Sequence, residues 1–214
     1  DTYLKIKNIL NKEIYFAVKA NSNQAIIALL NSLGAGADVV SIEEMYRALH
    51  AGVKPSKIIF EGVGKSQSNI TEAIQNNIKQ INVESIEELH QINSVAISLN
   101  KKPNIGLRLN PDIYPNTIDK IATGRKTDKF GIDFNQLKET CDLIKRLDNI
   151  HLNGLSCHIG SQIFEIKTFE KAFKKMKQAI KILDSNNLKI RNLNLGGGFG
   201  VTYNDDHIEF DISK

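Results

Sequence analysis

The chain has 214 residues, 41% of them hydrophobic and 24% charged, and a net charge of +4. That composition fits one ordinary globular domain. The basic residues are mixed with acids, tryptophan is absent and aromatics make up 7%, which argues against a nucleic-acid stripe or a single-strand stacking platform.

The first assigned element is a strand over Ile14 to Val18, rich in β-branched and aromatic residues. Ser22 or Asn23 then offers an N-cap, and Ala25, Ile26, Leu29, Leu30 and Leu33 recur at helical spacing up to Gly34. A strand over Ala37 to Val40 leads to a helix from Ile42 to His50, stopped at Gly52. The cycle repeats with a strand over Lys57 to Phe60 and a helix from Ser68, then a strand over Gln80 to Val83 and a helix over Ile86 to Ile97. Ile105 to Leu109 forms the next strand, before a long polar loop over 110–129 and a helix over Phe134 to Leu147. Leu152 to Cys157 is a strand, Thr168 to Leu183 a helix, and Leu193 to Leu195 a strand running into Gly196, Gly197, Gly198 and Gly200.

This alternation predicts a parallel sheet with helical crossovers, either doubly wound or closed into a barrel. The glycine-rich loop follows the seventh strand, where many barrels bind phosphate. A doubly wound dinucleotide site would carry it after the first. The expected fold is therefore α/β, an incomplete (β/α)8 TIM barrel of about seven of its eight strands, as a single partial domain over 1–214.

Cys141 and Cys157 fit a helix and a strand and show neither CxxC nor metal-ligand spacing, so reduced thiols and no metal site are expected. The apolar runs are too short to span a bilayer and no signal peptide is visible. A cytoplasmic location follows as an expectation. The sequence opens on Asp1 and stops at Lys214 just past a strand-like start, as a trimmed chain or a piece of a longer one would.

In parallel barrels the working residues stand at the carboxyl ends of the strands. Lys19 follows the apolar run Tyr15-Phe16-Ala17-Val18; a partly desolvated amine there could attack a carbonyl, against the plainer reading of a lysine reaching for water. The run Leu193 to Gly200 lacks side chains where successive N–H groups could converge on an anion, although a flexible turn would look the same. His158, in Cys157-His158-Ile159-Gly160-Ser161-Gln162, could act as acid or base, stack on a flat ring, or be a satisfied core histidine. Ser161 could donate to a phosphate. Arg108 alternates with Leu107 and Leu109, and a charge pointing inward there must be paired or meet an anion. The loop at 123–129, alone, is simply solvated.

Taken together, Tyr15 to Asn21, Ala37-Asp38-Val39-Val40-Ser41, Leu107 to Pro111, Lys129-Phe130-Gly131-Ile132, Cys157 to Gln162 and the glycine run resemble fold-type III pyridoxal-phosphate enzymes. These are the alanine racemase-like barrels and the ornithine and diaminopimelate decarboxylases. The diaminopimelate type matches in order from Lys19 to Tyr203. The resemblance implies pyridoxal 5'-phosphate as cofactor, held as a Schiff base on Lys19. It implies that His158 stacks on the ring and that Ser161 and the amides of Gly196, Gly197 and Gly198 hold the phosphate. Arg108 and Glu44 match positions that line or support the site, and Asp38 an acid near the lysine. The implied reaction is decarboxylation of meso-diaminopimelate to L-lysine, in a full-length homodimer with a small-molecule substrate and neither nucleic acid nor membrane as partner.

The family's Glu-Pro-Gly-Arg segment, whose glutamate keeps the pyridine nitrogen protonated, does not occur in this sequence, nor does its C-terminal β-domain. The chain alone is therefore expected to bind cofactor poorly and turn over little. The rival readings are an ornithine- or arginine-type decarboxylase, a non-catalytic cofactor-binding remnant of a split gene, and a barrel-only pyridoxal-phosphate carrier. A nicotinamide dehydrogenase is disfavoured because no GxGxxG follows the first strand.

Overall fold

The structure is a computed structural model that describes residues 2–113, 130–202 and 210–211. The basic loop at 123–129, Tyr203 and His207 lie outside the described residues. In chain order the elements are α1 (Thr2–Leu10), β1 (Tyr15–Ala17), α2 (Gln24–Ser32), β2 (Gly36–Val39), α3 (Ile42–His50), β3 (Ile58–Phe60), α4 (Gln67–Gln75), β4 (Gln80–Val83), α5 (Ile86–Ser98) and β5 (Asn104–Asn110). After these come β6 (Ile132–Asp133), α6 (Leu137–Ile144), β7 (His151–Ser156), α7 (Ile166–Ser185) and β8 (Asn192–Asn194). No helix among the described residues is long and apolar enough to cross a membrane.

The described residues group into two compact units. One lies within Asp1–Asn82, Glu87–Ile105 and Asn149–His151, the other within Val83–Ile86, Gly106–Asp148 and Leu152–Lys214. In the first, β2 lies between β1 and β3, and β3 pairs β4, all parallel. The register sets Ala17 beside Asp38 and Asp38 beside Ile59. In the second, β5 pairs with β6 and β7 with β8, again parallel.

The helices start where the sequence offers a cap. Asn23 Oδ1 accepts from Ala25 N–H at 2.9 Å, and Ser41 Oγ accepts from Glu44 N–H. Gly34 and Gly52 follow α2 and α3 at φ of 101° and 85°, which only glycine adopts freely. α3 buries Ile42, Met45 and Ala48 at helical spacing, and α7 buries Phe169, Ala172, Met176, Ala179 and Leu183. Each fully buried large aliphatic side chain is worth roughly 1.5–3 kcal/mol. β3 and β4 are buried along their whole length, as strands covered on both faces are. The polar side of β4 is internally satisfied: Gln80 Nε2 donates to Asn82 Oδ1 at 2.7 Å, and Asn82 Nδ2 donates to Glu61.

Several boundaries move for local reasons. β1 ends at Ala17 because Val18–Ala20 turns as a 3-10 helix. Lys57 belongs to a 3-10 turn opened by Pro55 rather than to β3. α4 starts after Ser66, not Ser68, because Ser66 and Asn69 cap each other reciprocally. α6 begins at Leu137, since Asp133 caps a 3-10 turn over Phe134–Gln136. α1 and β6 are additions to the expected elements. Both cysteines are buried and outside any disulfide, and burial pushes the Cys141 thiol up.

An exposed cluster near β1 makes stability depend on pH. Lys79 Nζ contacts Glu13 Oε2 at 2.7 Å, and Tyr15 OH donates to the same oxygen at 3.0 Å. The Lys79 and then the Tyr15 hydrogen bond hold the Glu13 carboxyl below its ordinary value. A lowered folded-state pKa contributes stability at neutral pH that is lost as pH falls through it. Glu13 is 65% exposed, so solvent screening limits the gain to a few tenths of a kcal/mol. Glu13→Gln is expected to be slightly less stable than wild type at about pH 7, with the gap closing toward about pH 2 in urea titrations. A gap that widened in acid would refute this.

Candidate active site

Lys19, Asp38 and Glu44 lie in the first unit. Lys19 sits in the turn after β1, where Asn21 N–H donates to Val18 O at 3.1 Å. This turn buries Val18 completely and leaves Lys19 exposed. The expectation of a partly desolvated amine is thereby corrected: Val18 takes the buried position. Asp38, half-buried on β2, stands in register with Ala17, two residues before Lys19. Glu44 lies in the first turn of α3 and accepts from Val40 N–H at 2.8 Å. Its carboxylate ties the end of β2 to the start of α3, at the positive end of the helix.

Arg108, His158, Ser161 and the glycines lie in the second unit. Arg108 is buried and meets Glu84: Nη1 to Oε1 is 2.7 Å, with the two side chains 8% and 3% exposed. Glu84 Oε2 accepts from Gly131 N–H at 3.0 Å, and the guanidinium lies 5.0 Å from the Phe130 ring centroid. The inward charge thus has a carboxylate and an aromatic face as partners.

The turn at 157–163 and the turn at 194–201 interlock. Cys157 N–H donates to Asn194 O at 3.0 Å, Ile163 N–H to Gly198 O at 2.9 Å and Gly200 N–H to Ile163 O at 2.9 Å. Gly196 and Gly198 have φ of 76° and 86°. A Cβ on Gly196 would sit 2.6 Å from Cys157 O and 3.2 Å from His158 Nδ1, and one on Gly198 would run into Gly160 O. A Cβ on Gly197 would meet nothing within 4 Å. Left-handed residues on either side of an open glycine shape peptide groups into an anion-binding concavity. Asn194 Oδ1 accepts from Gly196 N–H at 2.9 Å and braces its entrance. The donor set, backbone amides with a serine hydroxyl and an imidazole on the facing turn, fits a phosphorylated flat ring.

This geometry separates the glycines by function. Gly198→Ala combines a backbone clash with a left-handed φ and is expected to cost on the order of 2–4 kcal/mol in denaturant unfolding. Gly197→Ala is expected to leave stability within about 0.5 kcal/mol while weakening binding of a phosphorylated ligand. Equal destabilisation by both would contradict the arrangement.

Two polar devices escape a reading of the sequence. Lys65 is buried and donates to Gly62 O at 2.6 Å, Asn82 O at 2.8 Å and Glu88 Oε1 at 2.7 Å. Gln162, at φ 57°, bonds the Val201 backbone through both amide atoms. A lysine after Gly62-Val63-Gly64 and a glutamine in a loop both read as solvated; only their long-range partners distinguish them.

The chain matches the family described as pyridoxal-dependent decarboxylase, pyridoxal binding domain, over residues 3–214. It is 40% identical over 196 residues to a diaminopimelate decarboxylase of Aquifex aeolicus, covering 92% of this chain and 47% of that protein. A Zymomonas mobilis diaminopimelate decarboxylase is 42% identical over 196 residues, with the same coverage of each. The crystal structure of diaminopimelate decarboxylase from Helicobacter pylori complexed with L-lysine matches with a TM-score of 0.92 at 36% identity, over 99% of this chain and 56% of that one. The fold is accordingly that of an incomplete (β/α)8 barrel. The chain spans about half the length of the curated relatives it matches. Its matched span, strand order and glycine-rich turn place it in the pyridoxal-dependent decarboxylase family, as the pyridoxal binding domain.

Proposed function

We propose that this chain is the pyridoxal-phosphate-binding part of a carboxy-lyase that converts meso-diaminopimelate to L-lysine. The observation that carries the reading is the open Gly197 between left-handed Gly196 and Gly198, which themselves pack against the His158–Ser161 turn. When bound, the cofactor supplies an electron sink for the pair left behind as the carboxylate departs as carbon dioxide.

The chain's own residues then have distinct tasks. Lys19, exposed in the turn after β1, would hold the cofactor through its amine. His158 offers an imidazole face to the ring. The Ser161 hydroxyl and the amides of Gly197 and Gly198 bind phosphate without a charged side chain, whereas the Gly196 N–H, expected from the sequence to join them, is taken by Asn194 Oδ1 and shapes the turn instead. Asp38 stands as the acid near the lysine, Glu44 holds the β2–α3 junction, and Arg108 supports the site through Glu84. The buried thiols suit a reducing, cytoplasmic setting. The homodimer rests on the family resemblance alone.

The test has two parts. The chain is mixed with pyridoxal phosphate, reduced with borohydride and digested; a pyridoxyl group on Lys19 is the expected product. The chain expressed with its downstream coding sequence, through to the stop codon, is then assayed with diaminopimelate, ornithine and arginine. Release of carbon dioxide from diaminopimelate in preference to the others is expected. Turnover of none would overturn the assignment, and preference for ornithine or arginine would replace the substrate.

A further inference from the structure

Gln162 lies in the turn that follows β7, one residue past Ser161, in the left-handed region at φ 57°. That conformation is uncommon for a side chain of this kind and is held only where its surroundings repay it. The repayment is visible. Gln162 Oε1 accepts from Val201 N–H at 2.8 Å, and Gln162 Nε2 donates to Val201 O at 3.1 Å. The side-chain amide therefore pairs with the main chain of Val201 as a neighbouring strand would. It adds two hydrogen bonds beside the parallel bridge between Ile163 and Phe199.

The bridge begins inside the glycine run. Ile163 N–H donates to Gly198 O, and Gly200 N–H donates back to Ile163 O, both at 2.9 Å. Phe199, between them, packs on Phe169 of α7 at 5.1 Å between ring centroids. The far end of the glycine run is thus tied to the His158–Ser161 turn on one side and to α7 on the other. Glycine is the residue most costly to order. A run of them keeps one shape only if its ends are fixed.

We infer that Gln162 is a positioning residue: its side-chain amide clasps Val201 and so fixes the shape in which the 196–198 turn meets a phosphate. The inference rests on the cofactor reading above and adds to it the residue that pre-forms the phosphate subsite. The clasp touches the phosphate end of the ligand only through the backbone, so it acts on phosphorylated ligands selectively. Pyridoxal, which lacks the phosphate, is the matched probe.

Gln162→Leu removes both hydrogen bonds at similar volume. Gln162→Gly removes them while relieving the left-handed strain, which separates loss of the clasp from misfit of leucine at that φ. The chain extended through its downstream coding sequence is titrated with pyridoxal phosphate and with pyridoxal, and backbone amide exchange is followed at Gly200 and Val201. Both variants are expected to bind pyridoxal phosphate about tenfold more weakly and pyridoxal within about twofold of wild type. Exchange at Gly200 and Val201 is expected to quicken in both. Wild-type affinity for pyridoxal phosphate in Gln162→Gly, or an equal loss for both ligands, overturns the inference. Failure of the unsubstituted protein to bind pyridoxal phosphate would instead remove the cofactor reading, and is seen before any substitution is made.

Discussion

Lys19→Ala is expected to abolish the borohydride-stable pyridoxyl adduct and to reduce decarboxylation in the extended protein by about a thousandfold or more. The amine occupies a 3-10 turn at the end of β1, next to the fully buried Val18. Lys19→Arg should fare no better. It keeps the positive charge, but a guanidinium remains protonated and cannot condense with an aldehyde. Because Lys19 is exposed, neither substitution should shift unfolding by more than about 0.5 kcal/mol. The glycine cradle remains in both, so reversible binding of pyridoxal phosphate should persist, weakened and without a covalent adduct. Peptide mapping that finds the adduct undiminished on another lysine in Lys19→Ala would sink the assignment.

The elements that sequence made legible are those written in local chemistry. Of the two N-caps offered ahead of α2, Asn23 is the one that caps it, Gly34 and Gly52 end the helices they follow, and Gln80–Val83 is a strand as read. The glycine run stood out because it abuts an apolar strand. α1 was missed because it buries none of its residues fully. Part of what holds it is tertiary, a Lys7 Nζ hydrogen bond to Leu33 O at 2.7 Å, and no pattern within Thr2–Leu10 announces that. β6 spans only Ile132–Asp133 and exists through its pairing with β5. The site was legible residue by residue but not as pairs. Arg108 invited a partner, yet nothing near it in sequence selects Glu84, 24 positions away. Gln162 and Val201 are 39 apart. A sequence displays the need of a buried charge or a strained turn; only the fold shows what meets it.

Arg108→Ala is expected to be the most destabilising single change among the site residues. It leaves the Glu84 carboxylate, whose side chain is 3% exposed, with Gly131 N–H as the hydrogen bond that remains of the pair described above. Removing one partner of a buried ion pair costs about 3–5 kcal/mol, because the other charge stays desolvated. At about 2–4 °C per kcal/mol for a chain of this size, the melting temperature should fall by roughly 6–20 °C. The loss of packing against Phe130 adds to it. The cause is separable by a double-mutant cycle. Glu84→Gln alone leaves the guanidinium uncompensated and should also be costly. Arg108→Met with Glu84→Gln removes both charges and should be more stable than Arg108→Met alone, the four corners of the cycle giving a coupling of about 1–3 kcal/mol. Additive losses in the cycle would mean that the two side chains act independently. The 2.7 Å contact would then contribute nothing to holding Gly131, through Glu84, against the end of β5.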